Sequence, residues 1–531
     1  MDVMPLLLLV AGSAAVAGAA RRTPVPAPLL LVAVGLAVSY LPGVPHYTLE
    51  PDVVLPLVLP PLLYKEGTES SYLDLRAQMR PVGLLSVGYV LFATFAVGWA
   101  AYLVVPGLPL PAALVLGAVV APTDAVAAAA IARRVGLPSR ITTILQGESL
   151  LNDATAITAY KVALAAAVGE GATWSGGIGE FLRAAVGGVV VGLVLMVPIH
   201  WLRTHLKEAL LQNTLSLLIP FVAYGVAEQL HGSGVLAVVV VAVYLGHRAW
   251  EVDFATRLQE DAVWRMVAFL LESAVFALIG LQLPRVLKGL GAYEGSDAAW
   301  YAVAVFVVVV AARFVWVYPA TFLPRLLSRR IREREENPTW RGPIVTSWAG
   351  MRGVVSLAIA FSIPATVHGG AHFPQRDLIL FLTFTTVIGT LVVQGLTLPL
   401  VIRLMRFPGR DPQAETLAEA NAQAQASRAA ESRLDDLLLD ERNELPPPLA
   451  DRLRDVLERR RNAVWERLGQ VNAVTGESVD DIYRRLSREM IGVERGVFVR
   501  LRDRRYLDDE MLRALLRRLD LEEAAAYREA D

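Results

Sequence analysis

The chain has no cysteine. Disulfides, zinc thiolates and iron–sulfur centres are therefore excluded as the basis of its fold or function. Lysine occurs only at Lys65, Lys161, Lys207 and Lys288, and charged residues make up 19% of 531 positions. A net charge of −1 gives no overall basic signal for nucleic acid. No zinc, EF-hand, phosphate-loop or nucleophile–base pattern is visible, so neither an enzyme nor a cofactor is expected. What the chain does have is apolar sequence. Hydrophobic residues reach 54% and mean hydropathy is +0.46. Those values are too high for an ordinary soluble protein and fit an all-α, polytopic membrane protein.

A spanning helix needs about 20 mostly apolar residues. Thirteen stretches are candidates, at about 3–20, 26–41, 49–64, 80–105, 110–132, 141–168, 180–202, 210–229, 233–248, 262–282, 298–323, 343–363 and 377–403. Asp2 precedes the first apolar run and Arg21 and Arg22 come after it. That polarity is the reverse of a cleaved signal peptide, so the first helix is expected to be retained. The loops between candidates are asymmetric. Alternate loops hold Arg21 and Arg22; Lys65, Arg76 and Arg80; Arg133, Arg134 and Arg140; Arg203 and Lys207; Arg248 and Arg257; and an arginine-rich run from Arg325 to Arg341. The opposite loops hold Arg285, Lys288 and Arg376. The positive-inside rule then puts the N-terminus outside and the C-terminus in the cytoplasm. Residues 406–531 turn polar, with Pro446-Pro447-Pro448 as a break and apolar residues at helical spacing in Ala450–Leu468 and Asp508–Leu521. A cytosolic helical tail, packed on itself and open to a regulatory role, is expected there.

Charge inside the apolar stretches is the strongest functional signal, because it is costly there. Gly147-Glu148-Ser149-Leu150-Leu151-Asn152-Asp153-Ala154 opens the sixth candidate. At about 100° per residue, Glu148, Ser149, Asn152 and Asp153 share an arc of roughly 140°. Two other helices are interrupted. The fifth contains Ala121-Pro122-Thr123-Asp124, where Pro122 removes a backbone donor and disfavours helix at Ala121. The twelfth contains Gly350-Met351-Arg352-Gly353. Thirteen helices divide into six, one linker and six, which maps the fifth onto the twelfth in two inverted repeats. Secondary transporters place their sites where two such interrupted helices meet. Broken helices leave free N–H and C=O ends of opposite polarity, for Asp124 and Arg352 respectively to neutralise. Arg313 is a third charge in an apolar run and needs a partner. Pairing it with Glu148 makes Glu148 structural and leaves Asp153 as the unpaired acid. Glu228 and Glu272 are expected in helix–helix hydrogen bonds, and His231 is not expected to be a ligand.

These motifs resemble the cation/proton antiporter family, specifically its sodium/proton exchanger branch. The matching stretches are Leu59-Pro60-Pro61-Leu62-Leu63, Pro122-Thr123-Asp124, Gly147–Ala154, Ser233-Gly234-Val235-Leu236-Ala237, Gly350–Gly353 and Gln394-Gly395-Leu396-Thr397, across about residues 1–405. The resemblance implies a homodimer in the cell membrane, serving pH homeostasis. It implies a dimerisation domain (about 1–64 and 210–282), a linker helix (about 180–202) and an elevator-like core (about 80–168 and 298–403). It implies that Asp153 holds the transported ion or proton. Asp124, Ser149 and the Thr123 carbonyl would complete the site for Na⁺, Li⁺ or K⁺, with Asn152 in support. It also implies the Glu148–Arg313 bridge. Asn152 ahead of Asp153 resembles the electroneutral branch, one cation for one proton. The chain departs from the family after the third-helix prolines. Lys65 stands where an acid is common, with Glu66 one residue later, and both are left out of the expected site. K⁺/H⁺ antiport with the same ligands is the alternative, and a cation channel is the rival class. No pore-loop filter signature supports the channel.

Overall fold

The computed structural model describes residues 3–20, 22–23, 26–42, 51–124, 128, 137–169, 174–291, 293–334, 339–367, 370–407, 412–439, 447–469, 479–504, 506 and 509–527. The end of the fifth expected helix beyond Asp124, Ala128 apart, lies outside these residues, as do Arg21, Arg133, Arg134 and Pro446. Among the described residues the only extended pairing is an isolated bridge between Thr366 and His372. Everything regular is helical. In a bilayer, helices satisfy every backbone group within the segment.

The chain forms two compact units, Met1–Gly409 and Arg410–Asp531. The first begins with α1 (Val3–Ala20), α2 (Ala27–Ser39) and α3 (Pro51–Glu69). Next come α4 (Met79–Val104), α5 (Leu110–Val120) and α6 (Ser139–Val168). They are followed by α7 (Trp174–His205), α8 (Ala209–Gln229), α9 (Gly234–His247) and α10 (Phe254–Gly289). Last are α11 (Gly295–Leu327), α12 (Arg341–Trp348), α13 (Val354–Phe361) and α14 (Arg376–Met405). Among the described residues six helices are long and apolar enough to cross a membrane, namely α4, α8, α10, α11, α14 and the Gly179–His205 part of α7. Leu7–Ala20, α2, α5 and α9 are shorter apolar helices. The third helix extends beyond its expected end at 64, reaching Glu69, and so carries Lys65 and Glu66 on helical backbone.

Glycines let helices cross at backbone contact. A Cβ on Gly280 of α10 would lie 2.2 Å from the Val32 carbonyl oxygen of α2. One on Gly117 of α5 would lie 2.1 Å from the Thr94 oxygen of α4. The α4–α5 crossing thus fixes the last turn of α5, immediately before Ala121. α4 also contains a π-helical turn at Leu84–Tyr89.

The second unit is made of α15 (Pro412–Leu438), α16 (Pro447–Gly469), α17 (Val479–Asp503) and α18 (Asp509–Tyr527). α15 and α16 are joined by Arg454–Asp435 at 2.9 Å and Arg461–Glu431 at 3.4 Å. Arg495 of α17 reaches Asp520 and Glu523 of α18 at 2.8 and 2.7 Å.

Candidate functional site

The two interruptions meet. α5 stops at Val120 and α12 at Trp348, and α13 begins only at Val354. Non-helical backbone therefore spans Ala121–Asp124 on one side and Ala349–Gly353 on the other. The Asp124 N–H donates to the Met351 carbonyl at 2.8 Å, joining one break to the other.

Among the described residues, side chains from the breaks themselves, from α11 and from α14 meet the free backbone groups. Arg352 Nε donates to the Val120 carbonyl at 3.0 Å, and its Nη1 donates to the Gly350 carbonyl. Arg313 Nε donates to the Thr346 carbonyl of α12 at 3.0 Å. The N–H of Arg352 is taken by Thr390 Oγ1 of α14 at 3.1 Å. The Asp124 carboxylate lies against Gly353, where a Cβ would sit 2.0 Å from Oδ2. Only glycine leaves room for that approach. It puts a negative group at the first turn of α13, where the unpaired N–H groups carry partial positive charge. Arg352 thus meets carbonyl oxygens, and the Asp124 carboxylate stands beside the start of α13.

α6 supplies the third side of the site. Glu148, Ser149, Asn152 and Asp153 are all buried. Glu148 and Arg313 form a two-bond bridge, Nη1 to Oε1 at 2.5 Å and Nη2 to Oε2 at 2.8 Å, with the side chains 1% and 0% exposed. The Thr123 hydroxyl donates to Glu148 Oε1 at 2.8 Å. Asn152 Nδ2 donates to the Thr123 carbonyl at 2.8 Å and lies 3.1 Å from its hydroxyl. Thr123 is thus held by two residues of α6. Its carbonyl keeps a second lone pair for another partner. Ser149 and Asp153 are one turn apart on the same helix face. The Asp124 carboxylate acts electrostatically on Asp153, and among the described residues no base pairs with Asp153.

Two features correct the sequence reading. Glu66, left out of the expected site, stands within electrostatic reach of Asp124, Asp153 and Glu272. Lys65 instead pairs with Glu69, one turn along α3. The extension of α3 past residue 64 brings Glu66 there, one residue after the position where the family resemblance makes an acid common. Glu272, expected in a helix–helix hydrogen bond, is in the field of Asp124 and Lys65. Glu228 makes the helix–helix bonds expected of it, accepting from Lys161 of α6 at 3.1 Å and from the Gly234 N–H of α9 at 3.3 Å. Sequence reasoning also passed over Thr346, Thr390 and Tyr89, whose partners are long-range.

The oxygens available around Asp153 are carboxylate, hydroxyl and carbonyl groups, the donor set hard cations prefer. Among the described residues no three His, Asp or Glu side chains converge as a metal cluster.

Comparisons with known proteins place the chain in a family. The sequence model of the family described as "Sodium/hydrogen exchanger, transmembrane" matches residues 8–404. An uncharacterised Na⁺/H⁺ exchanger of Mycobacterium tuberculosis is 36% identical over 95% of this chain and 92% of its own length. A sodium, potassium, lithium and rubidium/H⁺ antiporter of Bacillus pumilus is 32% identical over 76% of this chain and 61% of its own. The structure of the sodium proton antiporter MjNhaP1 from Methanocaldococcus jannaschii at pH 8 superposes with a TM-score of 0.59 at 20% identity, over 74% of this chain and all of that one. That likeness is one of fold. The chain is a multi-pass membrane protein and belongs to the sodium/hydrogen exchanger family.

Proposed function

We propose that the protein is a secondary active antiporter that exchanges a monovalent cation, Na⁺ first among them, for a proton. The observation that carries this reading is the contrast between two acids five residues apart on α6. Glu148 is fully paired with Arg313. Asp153 is also buried, stands in the field of Asp124, and has no base beside it among the described residues. Removing a carboxylate from water disfavours its charged form, so the site must take up a positive charge. A proton on Asp153 supplies it. So does a cation held by Asp153, Asp124, Ser149 and the Thr123 carbonyl, positioned by Asn152. The two cannot occupy Asp153 together, and that competition couples their fluxes without ATP.

The remainder of the reading rests on the family and the sequence. Thirteen crossings in two inverted repeats put the N-terminus outside and the helical tail in the cytoplasm. Residues 1–64 and 210–282 form the dimerisation scaffold of a homodimer, against which the core carries the site across by alternating access. Asn152 contributes no second titrating group, which fits electroneutral exchange. A broader cation range is the second reading, favoured by the named substrates of the Bacillus pumilus relative. Dye-reported proton flux in proteoliposomes, with Na⁺, Li⁺ or K⁺ added in turn, tests both. Asp153→Asn should abolish exchange while the protein still elutes as a folded species. Coupled exchange surviving in that variant refutes the assignment. Current carried without proton coupling points to a channel instead.

A further inference from the structure

We propose that Tyr89 is a positioning residue for the cation site, acting through Arg352 on the backbone that carries Thr123 and Asp124. The proposal rests on the assignment of the cation to the Asp124–Asp153 face. Arg352 is 0% exposed, and among the described residues no carboxylate pairs with it. Its guanidinium is satisfied by three neutral oxygens: the Val120 carbonyl, the Gly350 carbonyl and the Tyr89 hydroxyl, the last at 2.5 Å from Nη2. The Glu148 carboxylate acts on it only at a distance, and a buried cation whose hydrogen bonds all go to neutral oxygens depends heavily on each one.

Tyr89 also faces the second arginine. Its ring centroid lies 5.0 Å from Arg313 Cζ, a cation–π distance. One side chain therefore accepts from Arg352 through its oxygen and from Arg313 through its ring. Arg313 holds Thr346 and Glu148, and Arg352 holds Val120. The clamp thus reaches both helix breaks.

The local backbone explains how Tyr89 comes to lie there. Leu84–Tyr89 is a π-helical turn, which holds more residues per turn than an α-helix and so re-phases the helix from that point on. Such a turn loosens the regular ladder, and the Leu84 carbonyl accepts from the Trp316 indole at 2.9 Å. Trp316 lies one turn from Arg313 on α11 and stacks on Phe92 of α4 at 5.2 Å. The same helix therefore pins the bulge and supplies the arginine that Tyr89 faces. Tyr89 holds Arg352, and Arg352 holds the Val120 carbonyl, so Tyr89 acts by fixing where Val120 ends and the Ala121–Asp124 segment begins.

The test is cation-dependent exchange by Tyr89→Phe in proteoliposomes, which deletes the hydroxyl and keeps the ring. The apparent KM for Na⁺ should rise about tenfold, the scale of one lost hydrogen bond to a charged group. The maximal rate should stay within about twofold. Trp316→Phe keeps the stack and deletes the indole donor. It should raise KM in the same direction, and the double variant should fall short of the product of the two effects. Should Tyr89→Phe fail to fold, Trp316→Phe alone carries the KM measurement. An unchanged KM, or a lower maximal rate at constant KM, overturns the proposal. Asp153→Asn is measured alongside. If it retains exchange, the site assignment has failed; if it is inactive while KM is unmoved in the Tyr89 and Trp316 variants, only the Tyr89 clamp has failed.

Discussion

Arg313→Met is the most discriminating perturbation of the site's framework. Arg313 makes two bonds to Glu148, at 2.5 and 2.8 Å, and one to the Thr346 carbonyl at 3.0 Å. The bridge is sealed from solvent, with side chains 0% and 1% exposed. Removing one partner strands the other as a buried charge, at about 3–5 kcal/mol. Freeing the Thr346 carbonyl adds about 1–3 kcal/mol. Against a total stability of about 5–15 kcal/mol, this is a large loss. Replacing both partners behaves differently, because a buried pair exchanged for apolar side chains of similar volume is often close to neutral. Glu148→Met/Arg313→Met should therefore be more stable than either single variant. Thermal unfolding in detergent, followed by fluorescence, ranks the four proteins. If the bridge is structural, the double variant also keeps some cation-driven proton flux, since Asp153 is untouched. A double variant that melts at the sum of the single losses refutes the coupling. A stable double variant with no exchange would make Glu148 part of the ion chemistry.

Other contacts give three further expected outcomes. Gly353→Ala places a Cβ where Asp124 Oδ2 sits 2.0 Å away, so the carboxylate must leave the first turn of α13; proteoliposome exchange should show apparent cation affinity falling at least about tenfold. Gly280→Ala drives a Cβ to 2.2 Å from the Val32 carbonyl, and separating α2 from α10 should cost about 1–3 kcal/mol in thermal unfolding. Glu228→Gln should leave thermal stability within about 0.5 kcal/mol, because its partner Lys161 is 53% exposed and Glu228 itself 34%.

Much of the site was legible because its signals are local in the chain. Acids in an apolar run, a proline within one helix and paired glycines within another are each unusual enough to stand out. Their charges also had a forced logic: Arg313 in an apolar helix requires an acid, and Glu148 was available. Partners set by three-dimensional phase were not legible. Glu66 reaches the acids because α3 continues past Tyr64, whereas the sequence pattern ends that helix at residue 64. Tyr89 reads as an ordinary aromatic residue in an apolar helix. Only the π-helical turn at Leu84–Tyr89 reveals that it points between two arginines. Thr390 was equally silent, since a threonine in a membrane helix usually bonds its own backbone, and Thr346 takes part through its carbonyl, which its side chain does not announce.

The capping pattern constrains how the site can move. Asp124 N–H is bonded to Met351, Arg352 to Val120, and Arg313 to both Thr346 and Glu148. Opening the two breaks independently would expose several buried donors and carbonyls at once, each at about 1–3 kcal/mol. A local gate at either break is therefore the expensive route. Shifting α4, α5, α6, α11, α12, α13 and α14 together keeps every one of these bonds, and the Arg352–Thr390 bond with them, and changes only the contacts that the group makes with its surroundings. Among the described ion pairs, Lys161–Glu228 connects this group to α8, and it is partly exposed. Breaking an exposed pair costs about 0–1 kcal/mol. That pair is cheap to break and the bonds within the group are costly, so a movement of the group as a unit, as in the alternating access proposed above, spares the buried polar network.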